Sequence, residues 1–290
     1  MKQYLRDILF TLLFGIAVVI PIEVVYNHQD NMMGYKYSYL ETHPDRIKTL
    51  ILGHSQASVG IDPQIIGDST FNAAVSGRII YYDLILMRKY IDRMPNLQTV
   101  IYPMHYTFSG GCRFYNDDNS HRSNIFEHGH FLHLYNDRYP VKSLLSHSAF
   151  LSGQLTSKAF GKSKEVYDSL GHVRLDGTSD NFAQDLVTQD RQEEFTHDLT
   201  DLALLCKEHG VRLIVITPPF HSRATRETTP TGMNNLYQTI ASVQKTSPVE
   251  YHNYLADSLV FTDSLFFDAT HLNHFGATLF AQRVKEDFGL

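Results

Sequence analysis

Cysteine is scarce, tryptophan is absent, and no run of basic residues interrupts this 290-residue chain. Its two cysteines, Cys112 and Cys206, can form at most one bridge, which excludes a disulfide framework and leaves the redox compartment open. The net charge of -6, with 25 Lys and Arg scattered among 31 Asp and Glu, excludes the footprint of a nucleic-acid binder. At 19% charged and 43% apolar residues the chain is not of the disordered class, and its length allows one large domain with a sizeable core. Internal repeats are missing too. Gly60, Gly67 and Gly77 are followed by no Lys-Ser/Thr pair, so no phosphate loop is present. Aromatic content rests on 17 Tyr and 18 Phe, and with 16 His these are side chains suited to a surface that handles sugars.

The N-terminus carries the one long apolar run. Ile8 to Ile22 is uncharged, and the run continues past Glu23 to Tyr26. As a helix, Ile8–Tyr26 would span roughly 28 Å, close to a bilayer core. Lys2 and Arg6 precede it, which places the N-terminus in the cytoplasm and the remainder outside, with Glu23 near the far headgroups. The following Val24-Val-Tyr-Asn-His-Gln-Asp lacks a small-x-small cleavage pattern, so an uncleaved anchor is expected rather than a removed signal peptide. Residues 1–6 are then a cytoplasmic tail, 7–26 the anchor, and 27–45 a polar, Tyr-rich stem containing Gly34 and Pro44.

From residue 46 to 290 strands and helices alternate. Lys48–Leu52, Thr70–Ala74, Thr99–Tyr102, Val211–Thr217 and Val249–Tyr254 read as buried strands; Ile80–Met94, Gln192–His209, Met233–Gln244 and His274–Phe288 read as helices, with Gly210 ending one of them. The alternation implies an α/β fold of three layers, α/β/α, around a parallel sheet of about five strands, where ligands sit beyond the strands' carboxyl ends. The Ser55, Gly77, His105 and Pro218 segments all lie there. Residues 107–190 break the pattern, being rich in Gly, Asn, Ser and His, and are read as an inserted cap over the strand ends.

Two short segments carry the chemistry. Thr49-Leu-Ile-Leu-Gly-His-Ser55-Gln runs a strand through a glycine turn into a serine, presenting its Oγ at the sheet edge beside free amides of a helix start. Asp268-Ala-Thr-His271 puts a carboxylate three residues before an imidazole, so that one ring nitrogen is held while the other acts as a base. Taken singly, Ser55 is equally a helix cap, and Asp268 a cap beside a surface histidine; together, the two segments compose a Ser-Asp-His triad. His274 is a second candidate base, more distant from Asp268, and His54 is read as packing within the turn. His128, His130 and His133 match no standard ligand spacing, so no metal is expected.

At these residues the chain resembles the SGNH/GDSL hydrolase family. Leu52-Gly53-His54-Ser55-Gln56 resembles its first block, with His54 where Asp is common. Phe71-Asn-Ala-Ala-Val-Ser-Gly77 resembles the second, whose last glycine gives an amide to the oxyanion hole, and Asp268-Ala-Thr-His271-Leu-Asn273 the fifth. The third block departs: an Asn donor is expected after the third strand, where this chain has Tyr102-Pro-Met-His105-Tyr106, leaving His105 or Tyr106 as substitute donors. The resemblance implies acyl transfer through a serine ester, with Ser55, Asp268 and His271 catalytic, the amides of Ser55 and Gly77 in the oxyanion hole, and no cofactor. It also implies a bacterial envelope setting, with the domain on the periplasmic side of the inner membrane. Three functions fit: an esterase acting on an acylated glycan or other ester; an O-acyltransferase modifying an envelope polysaccharide, which would need a membrane partner as acyl donor; and a non-catalytic glycan-assembly protein on the same fold.

Overall fold

The computed structural model describes residues 2–27, 32–104, 166–179, 192–226, 230–257 and 259–290. Five short apolar runs become one parallel sheet, β1 (Thr49–Ile51), β2 (Thr70–Asn72), β3 (Thr99–Pro103), β4 (Arg212–Thr217) and β5 (Glu250–Asn253), in the order β2-β1-β3-β4-β5. Every adjacent pair is parallel. The order reverses between β1 and β3, and a parallel sheet opens a crevice at the carboxyl ends where its winding reverses.

Side-chain alternation along β4 separates the two faces. Ile214 and Ile216 join Ile51 and Ile101 in a buried cluster with Phe280, Ala281 and Val284. These last three belong to the closing helix His274–Phe288, which packs beside the short helices α3 (Ser55–Gly60) and α4 (Pro63–Ile66). On the other side α5 (Ile80–Tyr90), α6 (Gln192–Glu208) and α8 (Pro230–Thr246) pack together, with α7 (Ser222–Arg226) between α6 and α8 in sequence and the closing helix numbered α9. The expected α/β/α layering is thereby met.

Element limits shift by a residue or two from the sequence reading. The β2 run stops at Asn72, whose N–H donates to Leu170 O at 2.8 Å. The α5 helix tightens into a 3-10 turn, Ile91–Arg93, just before Pro95, which cannot continue a helix. Gly210 ends α6 in a left-handed conformation, φ 68°.

The stretch read as a stem contains a helix instead of a free polar segment. In α2 (Met32–Thr42), Met33, Tyr37 and Leu40 fall three to four residues apart and are buried. The Tyr39 ring stacks on Phe71 of β2 at 4.0 Å between centroids. Glu41 ties α2 to α5 and the turn after it, accepting from Tyr90 Oη at 2.6 Å and Arg93 Nη1 at 2.7 Å, with Lys89 Nζ at 3.0 Å.

Of the stretch read as a cap, 107–190, only 166–179 is among the described residues. It folds back on itself through an antiparallel bridge between Tyr167 and Val173 and runs beside the edge strand β2. Val173 N–H donates to Ser58 O at 3.0 Å, His274 N–H to Leu175 O at 2.8 Å, and Ser179 N–H to Phe267 O at 2.6 Å. Cys206 is a free, buried thiol whose pKa burial pushes up to about 12; Cys112 and the 128, 130 and 133 histidines lie outside the described residues.

The first 31 residues fall in a separate compact unit. There α1 (Lys2–Asn27) is a 26-residue helix with Leu5, Leu9, Phe10, Leu12, Leu13, Phe14 and Ile16 all exposed. Among the described residues no helix is long and apolar enough to cross a membrane; the described side chains of α1 end at Pro21.

The Glu41 contacts set an acid dependence. Burial raises the carboxyl's pKa, but the hydrogen bonds from Tyr90, Arg93 and Lys89, with the Lys89 charge, outweigh it and bring the value from 4.5 to about 2. Because the folded value is depressed, this contribution is full above about pH 4.5 and is lost as pH falls through about 2. Urea midpoints measured across that window should fall less steeply in Glu41→Gln than in the parent chain.

Candidate active site

The nucleophile turn is built on Gly53. Its φ is +100°, and a Cβ there would stand 2.6 Å from the ring of Pro103 at the end of β3, so only glycine lets β1 turn so close to its neighbour. The chain then enters α3, with His54 in the cap position and Ser55 as the first helical residue. Ser55 is therefore not the cap. Its Oγ lies 2.7 Å from His271 Nε2.

The Asp-His segment is a tight loop, not a helical turn. Phe266 and Leu272 bridge in antiparallel fashion, and Phe267 N–H donates to His271 O at 2.8 Å. Asp268 Oδ1 accepts the amides of Thr270 and His271 at 2.9 Å each. Both carboxylate oxygens then face His271 Nδ1, at 3.0 and 2.9 Å. Since a carboxylate accepts, Nδ1 carries the proton, and Nε2 turns its lone pair to the serine hydroxyl. Asn273 fixes where this loop ends and α9 begins, accepting from the amides of Phe275 and Gly276 at 3.1 Å and donating to Ser264 O at 2.8 Å.

Charge in the site favours an ionised carboxylate at Asp268. For Asp268 burial acts upward, but the His271 hydrogen bond and charge and the two backbone amides outweigh it, and its pKa lies below the ordinary carboxylate range. The pairing is complete at neutral pH and is lost as pH falls below that range. His54 is driven the other way. Burial, then the neighbouring His271, lower its pKa to about 4, so it adds no positive charge beside His271 near neutrality; its Nε2 has no hydrogen-bond partner among the described residues.

The second segment singled out in the sequence reaches the same end of the sheet. From Asn72 to Val75 every amide is engaged: Asn72 with Leu170 O, Ala73 with Ile51 O, Ala74 with Asn72 Oδ1 and Val75 with Gly53 O. Gly77 differs. It is exposed, has φ 73°, and its amide makes no hydrogen bond among the described residues. The Ser55 amide, at the start of α3, is likewise unengaged among them. His105 and Tyr106, the substitute donors, lie outside the described residues, which stop there at the buried Met104. His274, the second candidate base, instead has its Nδ1 2.8 Å from Asp176 Oδ1.

Three buried residues that sequence reasoning gave no role hold these parts together. Gln56 Nε2 donates to Thr270 O at 3.2 Å, joining the nucleophile helix to the Asp-His loop. Asn72 Nδ2 donates to Ala57 O at 2.8 Å and Ile61 O at 3.0 Å, holding α3 to β2. Lys36 of α2 donates from Nζ to Ala74 O, and to Ser58 Oγ at 3.3 Å. For Gln56 and Asn72 the available signal was a polar residue on an otherwise apolar segment, but the partners of all three are remote in sequence.

A serine, an oriented histidine and an ionised aspartate in this order can activate an oxygen nucleophile. No family model matches the sequence, and neither does any curated protein. Among solved structures, a GDSL-like lipase from Bacteroides thetaiotaomicron is similar with a TM-score of 0.45 at 10% identity, over 89% of this chain and 98% of its own. The acetylxylan esterase Axe2 from Geobacillus stearothermophilus is similar with a TM-score of 0.43 at 12% identity, over 84% and 94%. With scores below 0.5, the chemistry has to be argued from this chain's own side chains.

Asp268→Asn offers a direct check on the proton placement. An amide NH2 facing Nδ1 would put the imidazole proton on Nε2, where it blocks acceptance from Ser55. The rate of phosphonylation of Ser55 by a fluorophosphonate probe should fall roughly 10³–10⁴-fold, with the circular dichroism spectrum unchanged.

Proposed function

We propose that this chain is a serine ester hydrolase of the SGNH/GDSL type, acting on O-acyl esters of carbohydrate or lipid outside the cytoplasmic membrane. The observation that carries the reading is the continuous relay from Asp268 through His271 to Ser55, at 2.9 and 2.7 Å. His271 Nε2 takes the Ser55 proton as Oγ attacks the ester carbonyl. The carbonyl oxygen, now an anion, is received by the amides of Ser55 and Gly77. His271 then gives its proton to the departing alkoxide, leaving an acyl-serine. Water, deprotonated by the same nitrogen, attacks that acyl group and frees Ser55.

Support for the setting comes from α1. Its exposed apolar side chains, from Tyr4 to Ile20, have no place in water and suit a hydrocarbon environment. Lys2 and Arg6 at its start favour a cytoplasmic N-terminus, with the hydrolase domain on the periplasmic side.

Two measurements test this reading. A fluorophosphonate probe should label the parent chain and fail to label Ser55→Ala, and p-nitrophenyl acetate should be turned over only by the former. Acyl product recovered on an added glycan acceptor, in place of free acid, would move the assignment from hydrolase to transferase. For the anchor, the parent chain should stay in the membrane pellet after a carbonate wash, whereas Leu13→Arg with Ile16→Arg should release it, each arginine costing about 2.5–3.5 kcal/mol at the centre of a span. A parent chain recovered in the supernatant would refute the anchor.

A further inference from the structure

Directly after Gly77, the chain buries an arginine. Arg78 is 1% exposed, and its guanidinium turns back beneath its own loop, where Nη1 donates to Ala73 O at 2.8 Å and to Asp83 Oδ1 at 3.1 Å. Asp83, on the first turn of α5, is fully buried. Burial pushes its carboxyl's pKa up to about 6 against the pull of Arg78 and the Gly53 amide, and among the described residues Asp83 Oδ2 has no hydrogen-bond partner. Backbone bonds run alongside: Val75 N–H donates to Gly53 O, and Arg78 N–H to Val75 O, both at 3.0 Å. Through Val75, these bonds link Gly53, two residues before the nucleophile, to Arg78, which follows Gly77.

Stability alone does not account for this pair. Burying two opposite charges costs about as much in lost hydration as their attraction returns, and well-packed apolar residues usually serve the fold as well or better. The pair is also incompletely satisfied, since Arg78 Nε and Asp83 Oδ2 are both left without hydrogen-bond partners among the described residues. What an apolar pair would not supply is a donor to Ala73 O and a directional tie between the two turns. We propose that Arg78 and Asp83 are a positioning pair that sets the Ser76–Gly77 turn against the Gly53 turn, so that the amides of Gly77 and Ser55 converge on one oxyanion. This rests on the hydrolase reading above and names what holds its oxyanion hole in register. Both side chains are enclosed, so neither touches substrate.

The test replaces the charges while keeping the volume. Arg78→Met combined with Asp83→Leu should fold, as such apolar replacements generally do. Its kcat on p-nitrophenyl acetate should fall roughly 10- to 100-fold, with KM changed less than about three-fold and the phosphonylation rate falling in parallel. Asp83→Asn, a milder change, should shift kcat in the same direction. Arg88→Met, which removes a surface ion pair with Asp201, should leave kcat unchanged. A folded double variant with kcat within about two-fold of the parent overturns the proposal. Failure of both Asp83 variants to fold overturns it as well, because the pair would then serve the fold and not the site. A parent chain inert to both probe and ester is a different result: it removes the hydrolase reading and this inference with it.

Discussion

One hydrogen bond, from Ser55 Oγ to His271 Nε2, joins residues 216 positions apart, and the rest of the site is organised around closing that distance. A parallel sheet does most of this. Because all five strands point the same way, the segments leaving them gather at one end, and the reversal of winding between β1 and β3 opens room there. The last step depends on close packing behind the loop. Gly276, in the first turn of α9, lies so near Leu265 O that a Cβ would come within 2.2 Å of it. That approach lets α9 seat against the 263–265 turn and presents His271 to the nucleophile.

Which parts were legible in the sequence follows from how far each depends on remote contacts. The strands, the helices after Ile80 and the start of α9 at His274 came from apolar spacing and from Pro and Gly at the limits, all local signals. Ser55, Asp268 and His271 were legible because their spacing and flanking turns are local too. The α2 helix was missed because the segment is polar overall; its burial comes from Tyr39 stacking on Phe71 and from Lys36 reaching Ala74, contacts that no window of sequence contains. An i to i+3 spacing suits a helical turn and a tight loop alike, so the form of the Asp-His segment is not legible in the sequence. The Asp268 carboxylate decided it by accepting two backbone amides. Gln56, Asn72 and the Arg78–Asp83 pair were invisible as functional residues for the same reason as Lys36.

Those missed residues share one task. Loops at the ends of parallel strands leave the ladder, so their carbonyls need partners that the sheet no longer provides, and a buried carbonyl without one is costly. Here Lys36 serves Ala74 O, Arg78 serves Ala73 O, Gln56 serves Thr270 O, and Asn72 serves Ala57 O and Ile61 O. Each donor comes from a different element than the loop it serves, or from the far side of the same turn, so satisfying the carbonyl also fixes the loop's position. The amides from Asn72 to Val75 are consumed in the same way. Among the described residues the amides of Ser55 and Gly77, which the proposed oxyanion hole would use, make no hydrogen bond. Donors without other partners need not turn away from them when charge develops, which is what electrostatic stabilisation of a transition state by the proposed hole would require.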